Sequence, residues 1–346
     1  MVRQVTWAVV GAGPAGIASV GQLLDQGVDP QSIIWLDPRF TVGDLGDKWF
    51  SVSSNTSVRL FKRFLYQCHS FNIQGAPNFE LFQLDPLSTC QLSQIVQPLQ
   101  WVTNQLLQQV QSYQTWVEAI AQHKSQWQLH LTSLDTIQAY KVILAPGCEP
   151  KAPLFKDIPL IPLTTALDPR ALSKTVSGDE TIAVFGSSHS AVLILKTLVE
   201  CGVKRIVNFY RHPLCYAVFY DDWILHDNTG LKGIAADWAK AYLETPATYP
   251  ANLQRIVSKP TNLEVYLPQV DRAIYPIGFE RRPMPIEGVV NDNYNKQTGE
   301  IASNLYGLGI AFPEVASDRV GNQEARVGLW KFMEHIEHNI KSWLTF

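Results

Sequence analysis

The chain has 346 residues, of which 46% are hydrophobic and 17% are charged, so it predicts two globular domains with ample apolar surface to bury. Its formal net charge of −3 gives no reason to expect a nucleic acid or an anionic membrane as partner. No signal peptide is expected because a strand is predicted at the very start of the chain. No membrane-spanning helix is expected because no apolar run reaches about 18 residues. The five cysteines form no C-x-x-C pair and no metal-ligand spacing, which argues against a dithiol redox centre and a metal site and favours a cytoplasmic protein.

The chain opens with a strand, a glycine turn and a helix. Residues 6–10 are a nearly continuous apolar run, which predicts a parallel strand buried on both faces. The turn Gly11-Ala12-Gly13-Pro14-Ala15-Gly16 follows it, and residues 15–25 predict a helix with Gly27 as its C-cap. The N-terminal amides of such a helix and the positive end of its dipole suit a phosphate group. The three segments therefore predict a dinucleotide-binding turn.

Each glycine of this first turn has a separate role in such a site. Gly11 permits the tight turn, Gly13 lets the backbone approach a pyrophosphate, and Gly16 lets the helix lie close to the strand. Residues 33–36 predict the second strand, and Asp37 stands at its end. An acid at this place suits a free ribose hydroxyl, so the first turn favours FAD.

The middle of the chain predicts a helix, three strands and a connection. Residues 91–111 have helical periodicity, and the helix either kinks or starts at Pro98. Residues 151–178 are proline-rich at their start and low in periodicity, which predicts the crossing between two domains. Between these segments, short strands are predicted at residues 117–120, 127–131 and 140–144.

A second phosphate-binding turn follows the crossing. Residues 181–185 predict a buried strand, which leads into Gly186-Ser187-Ser188-His189-Ser190-Ala191. A helix over residues 189–199 and a strand over residues 205–210 complete the unit. Serine replaces glycine at the middle position, where a small residue still permits close approach of a phosphate and its hydroxyl adds a donor.

The residue after the second unit differs in charge from the one after the first. In the sequence, Arg211 follows the second turn at nearly the same distance at which Asp37 follows the first. The planar guanidinium of Arg211 suits a 2′-phosphate. A surface ion pair is the alternative for Arg211, and His212 either assists it or is solvated. The two turns together predict one FAD, one NADPH and an electron path between them. Residues 217–252 do not match the strand-helix-strand pattern of the two units, and a helix is predicted within them near residues 235–243. This segment is either an insertion over the active site or a connection without a functional role.

Nearly end to end, the chain resembles the two-dinucleotide-binding flavoproteins with the pyridine nucleotide-disulfide oxidoreductase-like fold, and within them the flavin-containing monooxygenases. The stretch 43–49 resembles the family's Gly-Gly-x-Trp segment, and 323–326 is expected to open a C-terminal helix as in the family. The other segments that carry the resemblance are 51–56, 142–147, 274–279 and 304–313.

The resemblance implies an α/β fold with two Rossmann-like three-layer dinucleotide-binding domains. The NADP-binding domain, residues 166–280, would be inserted into an FAD-binding domain made of residues 1–165 and 281–346. The implied activity is an FAD-dependent, NADPH-using monooxygenase that forms a flavin C4a-hydroperoxide from O₂ and oxidises a small-molecule substrate. Neither the substrate nor the oligomeric state is predicted by the sequence.

The resemblance also assigns roles to individual residues. Asn55 would be the catalytic residue that orients NADP⁺ or the reduced-oxygen intermediate, the alternative being an ordinary turn or helix-cap asparagine. The NADP site would comprise Gly186, Ser187, Ser188, Ser190 and Arg211. The FAD site would comprise Gly11, Gly13, Pro14, Ala15, Gly16, Asp37, Pro38, Trp49, Val117, Gly147 and Gly309.

Three departures from the family pattern keep two other functions open. Residues 153–166 hold no histidine where the family has one, Pro146 replaces a threonine, and Tyr275-Pro276-Ile277 replaces a small-residue triplet. The first alternative is an NADPH-dependent flavoprotein reductase without oxygen transfer, which the missing histidine favours. The second is a non-catalytic FAD-binding protein.

Overall fold

Two sheets with parallel cores frame the protein, and the computed structural model describes residues 3–289 and 293–345. The helices are α1 (Pro14–Asp25), α2 (Asp44–Asp47), α3 (Val58–Gln67), α4 (Leu92–Leu107), α5 (Leu163–Ala166), α6 (Pro169–Thr175), α7 (His189–Glu200), α8 (Gly233–Tyr242), α9 (Pro260–Tyr266) and α10 (Leu329–Leu344). The strands are β1 (Arg3–Val10), β2 (Ile33–Asp37), β3 (Ser53–Ser57), β4 (Thr89–Gln91), β5 (Gln111–Gln114), β6 (Val117–His123), β7 (Gln126–Leu131), β8 (Thr136–Leu144), β9 (Cys148–Pro150), β10 (Thr181–Phe185), β11 (Arg205–Tyr210), β12 (Val218–Phe219), β13 (Ile224–Leu225), β14 (Leu253–Val257), β15 (Arg272–Ile274), β16 (Phe279–Arg281), β17 (Ile286–Glu287), β18 (Glu300–Ala302), β19 (Leu305–Gly307), β20 (Glu314–Ser317) and β21 (Gln323–Arg326).

The first sheet combines a parallel core with an antiparallel meander. β5, β2, β1, β8 and β19 run parallel, and the N-terminal half of β8 turns into the meander through β7 and β6. Helices α1, α3, α4 and α10 cover one face, where Trp7 and Val9 are buried. The other face packs Ala8 and Val10 against the meander. Burial on both faces explains the continuous apolar run of β1.

The second sheet is smaller and wholly parallel, in the order β14-β11-β10-β15. Helices α6, α7 and α8 cover one face around Ile182 and Val184, while Ala183, Phe185 and Phe209 pack on the other. This confirms the α/β class with Rossmann-like sheets. Its strands all lie between β8 and β17 along the chain, in agreement with an inserted domain, whereas the domain bounds at 165 and 280 stay predictions.

Several local expectations need correction. Helix α4 runs through the buried Pro98 and does not start there, and it ends at Leu107, so that residues 111–114 pair with β2 as a strand. The stretch 323–326 does not open a helix: it is β21, paired antiparallel with β20, and α10 begins at Leu329. The crossing 151–178 contains α5 and α6. The helix expected near residues 235–243 is confirmed as α8.

No helix within residues 3–289 and 293–345 has the length and apolar character needed to cross a membrane. In the same residues, no three His, Cys, Asp or Glu side chains lie close enough to hold a metal ion.

Candidate functional site

The first turn requires glycine at two positions. Gly11 has φ +101°, and a Cβ there would lie 2.2 Å from the carbonyl oxygen of Ala145 at the end of β8. At Gly16 a Cβ would lie 1.8 Å from the Gly11 oxygen, so this residue lies beneath the turn. By contrast, a Cβ on Gly13 would meet nothing closer than 3.9 Å. Gly13 caps α1 without a side-chain hydrogen bond, so the helix N-terminus is open to an anion.

Asp37 is buried at the end of β2 and holds the turn in shape. Its Oδ2 accepts a hydrogen bond from the Ala12 amide at 2.8 Å. Its Oδ1 accepts from the amides of Arg39 and Phe40 at 2.8 and 2.7 Å. Since each carboxylate oxygen has two acceptor positions, Oδ2 retains one, which is enough for a single ribose hydroxyl.

An elongated cavity of about 440 Å³, called here the first cavity, begins beside Asp37. It passes the first turn and reaches Asn55 on β3, where Ser190 of the second turn also contributes to the wall. The predicted cofactor residues that line it are Gly11, Gly13, Pro14, Ala15, Asp37, Pro38, Trp49, Val117, Gly147, Gly309 and Ser190. Gly-rich backbone, a free helix N-terminus and a terminal acid in one elongated cavity fit a dinucleotide.

A charged cluster that was not predicted contributes Asp44 and Arg282 to the wall of the first cavity. The Arg282 guanidinium donates to Asp44 Oδ2 at 2.7 Å and to the Pro146 oxygen at 2.6 Å, and it pairs with Glu149. Lys48 bridges the same two carboxylates at 3.3 and 3.0 Å. Burial alone would raise the pKa of Glu149, but the hydrogen bonds from Arg282 and Lys48 outweigh it and lower that pKa. The Arg282 guanidinium thus lies beside Gly147 in the wall of the first cavity, held there by two carboxylates.

Helix α10 begins at the far end of the first cavity. Gly328, with φ +152°, precedes its first residue, and both Gly328 and Leu329 line the wall. No side chain caps the N-terminus of this 16-residue helix, so its amides and dipole favour negative charge on any group bound there. The sequence placed the helix start a few residues early and therefore missed this contribution.

The second turn repeats the geometry of the first. Gly186 has φ +128°, and a Cβ there would lie 2.8 Å from the Pro276 oxygen. The fully buried Asn208 donates to the carbonyl oxygens of Val184 and Gly186 at 3.0 and 2.8 Å. Asn208 on β11 therefore fixes the turn, and its only sign in the sequence is a polar residue inside an apolar strand.

The remaining NADP-site candidates lie outside the first cavity. Gly186, Ser187, Ser188 and Arg211 are not in its wall, and only Ser190 reaches it. Ser187 donates its hydroxyl to the His212 oxygen at 3.0 Å, so this proton already has an acceptor. Arg211 is exposed and makes no ion pair within the described parts of the chain, which leaves its fork free for a ligand.

His189 connects the second turn to the segment that carries Asn55. Its Nε2 lies 3.0 Å from the Ser53 carbonyl oxygen, an acceptor, so Nε2 carries the proton. Nδ1 is buried without a partner. Burial lowers the pKa of His189 below 6.5, which keeps the ring neutral.

This shift predicts a pH-dependent stability. An unfolded chain binds a proton near pH 6.5 that folded His189 resists, so stability is lost as the pH falls below about 6.5. We expect the urea midpoint to drop between about pH 7.5 and 5.5, and to drop less in His189→Gln. The control is His212→Gln at an exposed histidine, in which the urea midpoint should fall by as much as in the wild type. Burial also lowers the pKa of His335, which is present in all three proteins and contributes equally to the fall in each. An equal fall in His189→Gln and in the wild type would therefore contradict the role of His189.

The cysteines give no support to thiol chemistry in the cavity. All five are free. Cys148 lies in the wall of the first cavity, where burial raises its pKa to about 11. At neutral pH it is therefore a thiol and a poor nucleophile.

Several solved structures of monooxygenases and reductases share the fold of this protein. A flavin-containing monooxygenase from Stenotrophomonas maltophilia is 15% identical, with a TM-score of 0.64 over 99% of this chain and 98% of that chain. An ornithine N-hydroxylase from Kutzneria is 11% identical, with a TM-score of 0.67 over 98% and 99%. The bacillithiol disulfide reductase of Staphylococcus aureus is 12% identical, with a TM-score of 0.62 over 99% of both. At these identities the likeness establishes the fold.

The sequence comparison shows to which family the chain belongs. No family model matches the chain. The curated monooxygenase AgnR1 of Paecilomyces divaricatus is 31% identical over 384 residues, covering 97% of each protein. The chain belongs to the same family as this monooxygenase.

Proposed function

We propose that this protein is an FAD-dependent, NADPH-using monooxygenase that transfers one atom of O₂ to a small-molecule substrate. One observation carries the proposal: a single cavity runs from the first dinucleotide turn to Ser190 of the second, with Asn55 between them. Family membership with a monooxygenase supports the same reaction class. The five free cysteines support a reducing, cytoplasmic location.

The residues of the first cavity divide into binding and positioning roles. When bound, FAD would supply the hydride acceptor and the activation of O₂. Gly11, Gly13 and the N-terminus of α1 would hold its diphosphate beside Arg282, and Asp37 would accept one ribose hydroxyl. The open N-terminus of α10 would stabilise negative charge at the ring end.

The chain also excludes water from the ring end. Trp49 and Phe279 pack edge to face there, with ring centroids 5.6 Å apart. Val52, Leu92 and Leu167 complete an apolar wall around Asn55. Such a wall protects reactive oxygen species from decay in water. The side-chain amide nitrogen of Asn55 donates no hydrogen bond to any residue in the described ranges, so this donor is available to a ligand.

Anaerobic reduction followed by rapid mixing with oxygen tests the proposal. NADPH should bleach the flavin under nitrogen, and oxygen should then produce a spectral transient that is neither reduced nor oxidised flavin. Bleaching with direct reoxidation and no transient would favour a reductase without oxygen transfer. A flavin that neither nicotinamide bleaches would favour a non-catalytic FAD-binding protein.

Asn55→Ala should retain FAD and reduction by NADPH but shorten the transient's lifetime. Removing a hydrogen bond to a charged group costs about 1.5–3 kcal/mol, so we expect a lifetime at least about tenfold shorter. Stopped-flow absorbance measures it, together with the hydrogen peroxide released per NADPH. The isosteric Asn55→Asp, which keeps the volume but lacks the amide donors, should behave like Asn55→Ala. An unchanged lifetime in both variants would remove Asn55 from the mechanism.

A further inference from the structure

A second cavity, of about 480 Å³, adjoins the first. The two share four wall residues: Asn55, Val327, Gly328 and Leu329. They therefore meet where β3 faces the start of α10, at the end of the first cavity that lies farthest from Asp37. A molecule in the second cavity would lie next to the ring end of the cofactor site.

The segment 217–252, which the sequence left undecided, supplies one wall of the second cavity. Asn228 and Thr229 in this segment donate hydrogen bonds to the buried Glu324, at 2.8 and 2.7 Å from their side chains. These bonds fix the wall against β21. The apolar part of the wall comprises Leu60, Leu87, Phe219, Ile224, Ile234 and Trp330.

Two lysines and two aspartates carry the charges of this wall, and three of these four side chains form one cluster. Lys331 donates to Asp227 Oδ2 and to Asn228 Oδ1, both at 2.5 Å. Lys232 donates to the Asp227 backbone oxygen at 2.6 Å and also pairs with its carboxylate. The other carboxylate in the wall, Asp237, is exposed to solvent.

This cluster has more hydrogen-bond donors than its own contacts use. An ammonium group has three N–H donors, and these contacts occupy two on each lysine, so one donor remains on each. The two ammonium groups share the Asp227 carboxylate, and the nearby Glu324 carboxylate, whose pKa Lys331 helps to lower, accepts its hydrogen bonds from Asn228 and Thr229 and takes up neither remaining lysine donor. Burial lowers the pKa of Lys331 even though Asp227 opposes the shift, so an added anion would stabilise its charged form.

We propose that the second cavity is the substrate chamber and that it takes an apolar molecule with one anionic oxygen, a carboxylate or a phenolate, bound by Lys232 and Lys331. The apolar wall would hold the body of the molecule, and the shared wall at Asn55 would place it beside the flavin. This inference rests on the proposed function, because a substrate chamber has meaning only beside a reacting flavin.

Binding of matched acids and neutral derivatives to the FAD-loaded protein tests the proposal. The probes are 2-naphthoate with methyl 2-naphthoate, and 4-nitrophenolate with 4-nitroanisole, measured by calorimetry and by the flavin difference spectrum. We expect at least one anion to bind about tenfold more tightly than its neutral partner, as charge-assisted hydrogen bonds require. The pair that shows the larger preference identifies the carboxylate or the phenolate.

Two variants and one control locate the binding. Lys232→Met and Lys331→Met each leave Asp227 paired with one lysine, and each should weaken anion binding about tenfold while the neutral probe changes less than about twofold. Lys204→Met, an exposed lysine in the turn before β11, should change neither. FAD content and the thermal midpoint report folding in every variant, and whichever lysine variant folds suffices for the comparison.

The outcomes separate this inference from the proposed function. Equal binding of acids and neutral derivatives, or anion binding that both lysine variants leave unchanged, overturns the anion-binding chamber while reduction by NADPH persists. Failure of NADPH to reduce the flavin overturns the proposed function, whatever the probes do. A flavin difference spectrum that no probe changes places binding away from the ring and also overturns the chamber.

Discussion

Gly11→Ala should leave the protein unable to retain FAD through purification. The backbone of Gly11 has φ +101°, which L side chains rarely adopt, and such strain costs of order 1–3 kcal/mol. The new Cβ would also lie 2.2 Å from the Ala145 oxygen. Relief requires movement of the exit from β8, and Gly147 on that exit lines the same cavity. The flavin-to-protein absorbance ratio and the urea midpoint measure the two effects.

Gly27→Ala is the matched control for this prediction. Gly27 also has a positive φ, +80°, but a Cβ there would meet nothing within 4 Å. We therefore expect a loss of about 1–2 kcal/mol of stability from the backbone conformation alone, with full FAD content. If Gly27→Ala lost as much flavin as Gly11→Ala, backbone conformation rather than overlap with Ala145 would explain the first result.

The two βαβ units were predictable because their determinants are local. In each, an apolar strand buried on both faces runs into a glycine that tolerates a positive φ, and a helix follows at once. The predicted helix at residues 189–199 and strand at residues 205–210 agree with α7 and β11 to within one residue. Strand burial and glycine conformation act within a few residues, so a sequence window contains both.

The errors arose where distant pairing decides the structure. Residues 323–326 have a helix-like composition, yet they pair with residues 314–317 as a hairpin. Gln111, the last residue of the predicted helical stretch, instead begins β5, which completes the edge of the first sheet beside β2. Pro98 lacks an amide proton, but its side chain is buried within α4, and this packing offsets the missing hydrogen bond. Tertiary contacts overrode local preference in each case.

The candidate site divides in the same way. The glycines and Asp37 lie within two short segments that sequence spacing relates directly. Arg282 donates to Asp44, which lies 238 positions away in the sequence. In the sequence, the pair Arg281-Arg282 cannot be distinguished from two ordinary surface arginines. The presence of Asn55 and Ser190 in one cavity wall likewise depends on how the two sheets pack, and the contact between His189 and the Ser53 oxygen joins their two segments. The positions of these residues were therefore predictable within each unit, whereas the cavity that joins the two units was not.

Arg211→Ala should weaken the use of NADPH selectively. Arg211 follows β11 directly, is exposed, and has no ion pair within the described parts of the chain, so a phosphate would not have to displace a partner. The hydrogen bond from Ser187 to the His212 oxygen holds this corner against the second turn. Loss of a charge-assisted contact of about 1.5–3 kcal/mol should raise the KM for NADPH roughly ten- to hundredfold. The KM for NADH should change less than about twofold, because NADH has no 2′-phosphate to lose.

Two neighbouring variants separate the charge of Arg211 from its geometry. Arg211→Lys keeps the charge but not the planar fork, so it should recover part of the preference for NADPH. His212→Ala keeps the backbone acceptor of Ser187 and should affect both nicotinamides little. Flavin bleaching under nitrogen measures all four proteins with both reductants, independently of oxygen and substrate. An equal loss with NADPH and NADH in Arg211→Ala would mean that Arg211 supports the second turn as a whole, because a residue that reads only the 2′-phosphate cannot affect a cofactor without one.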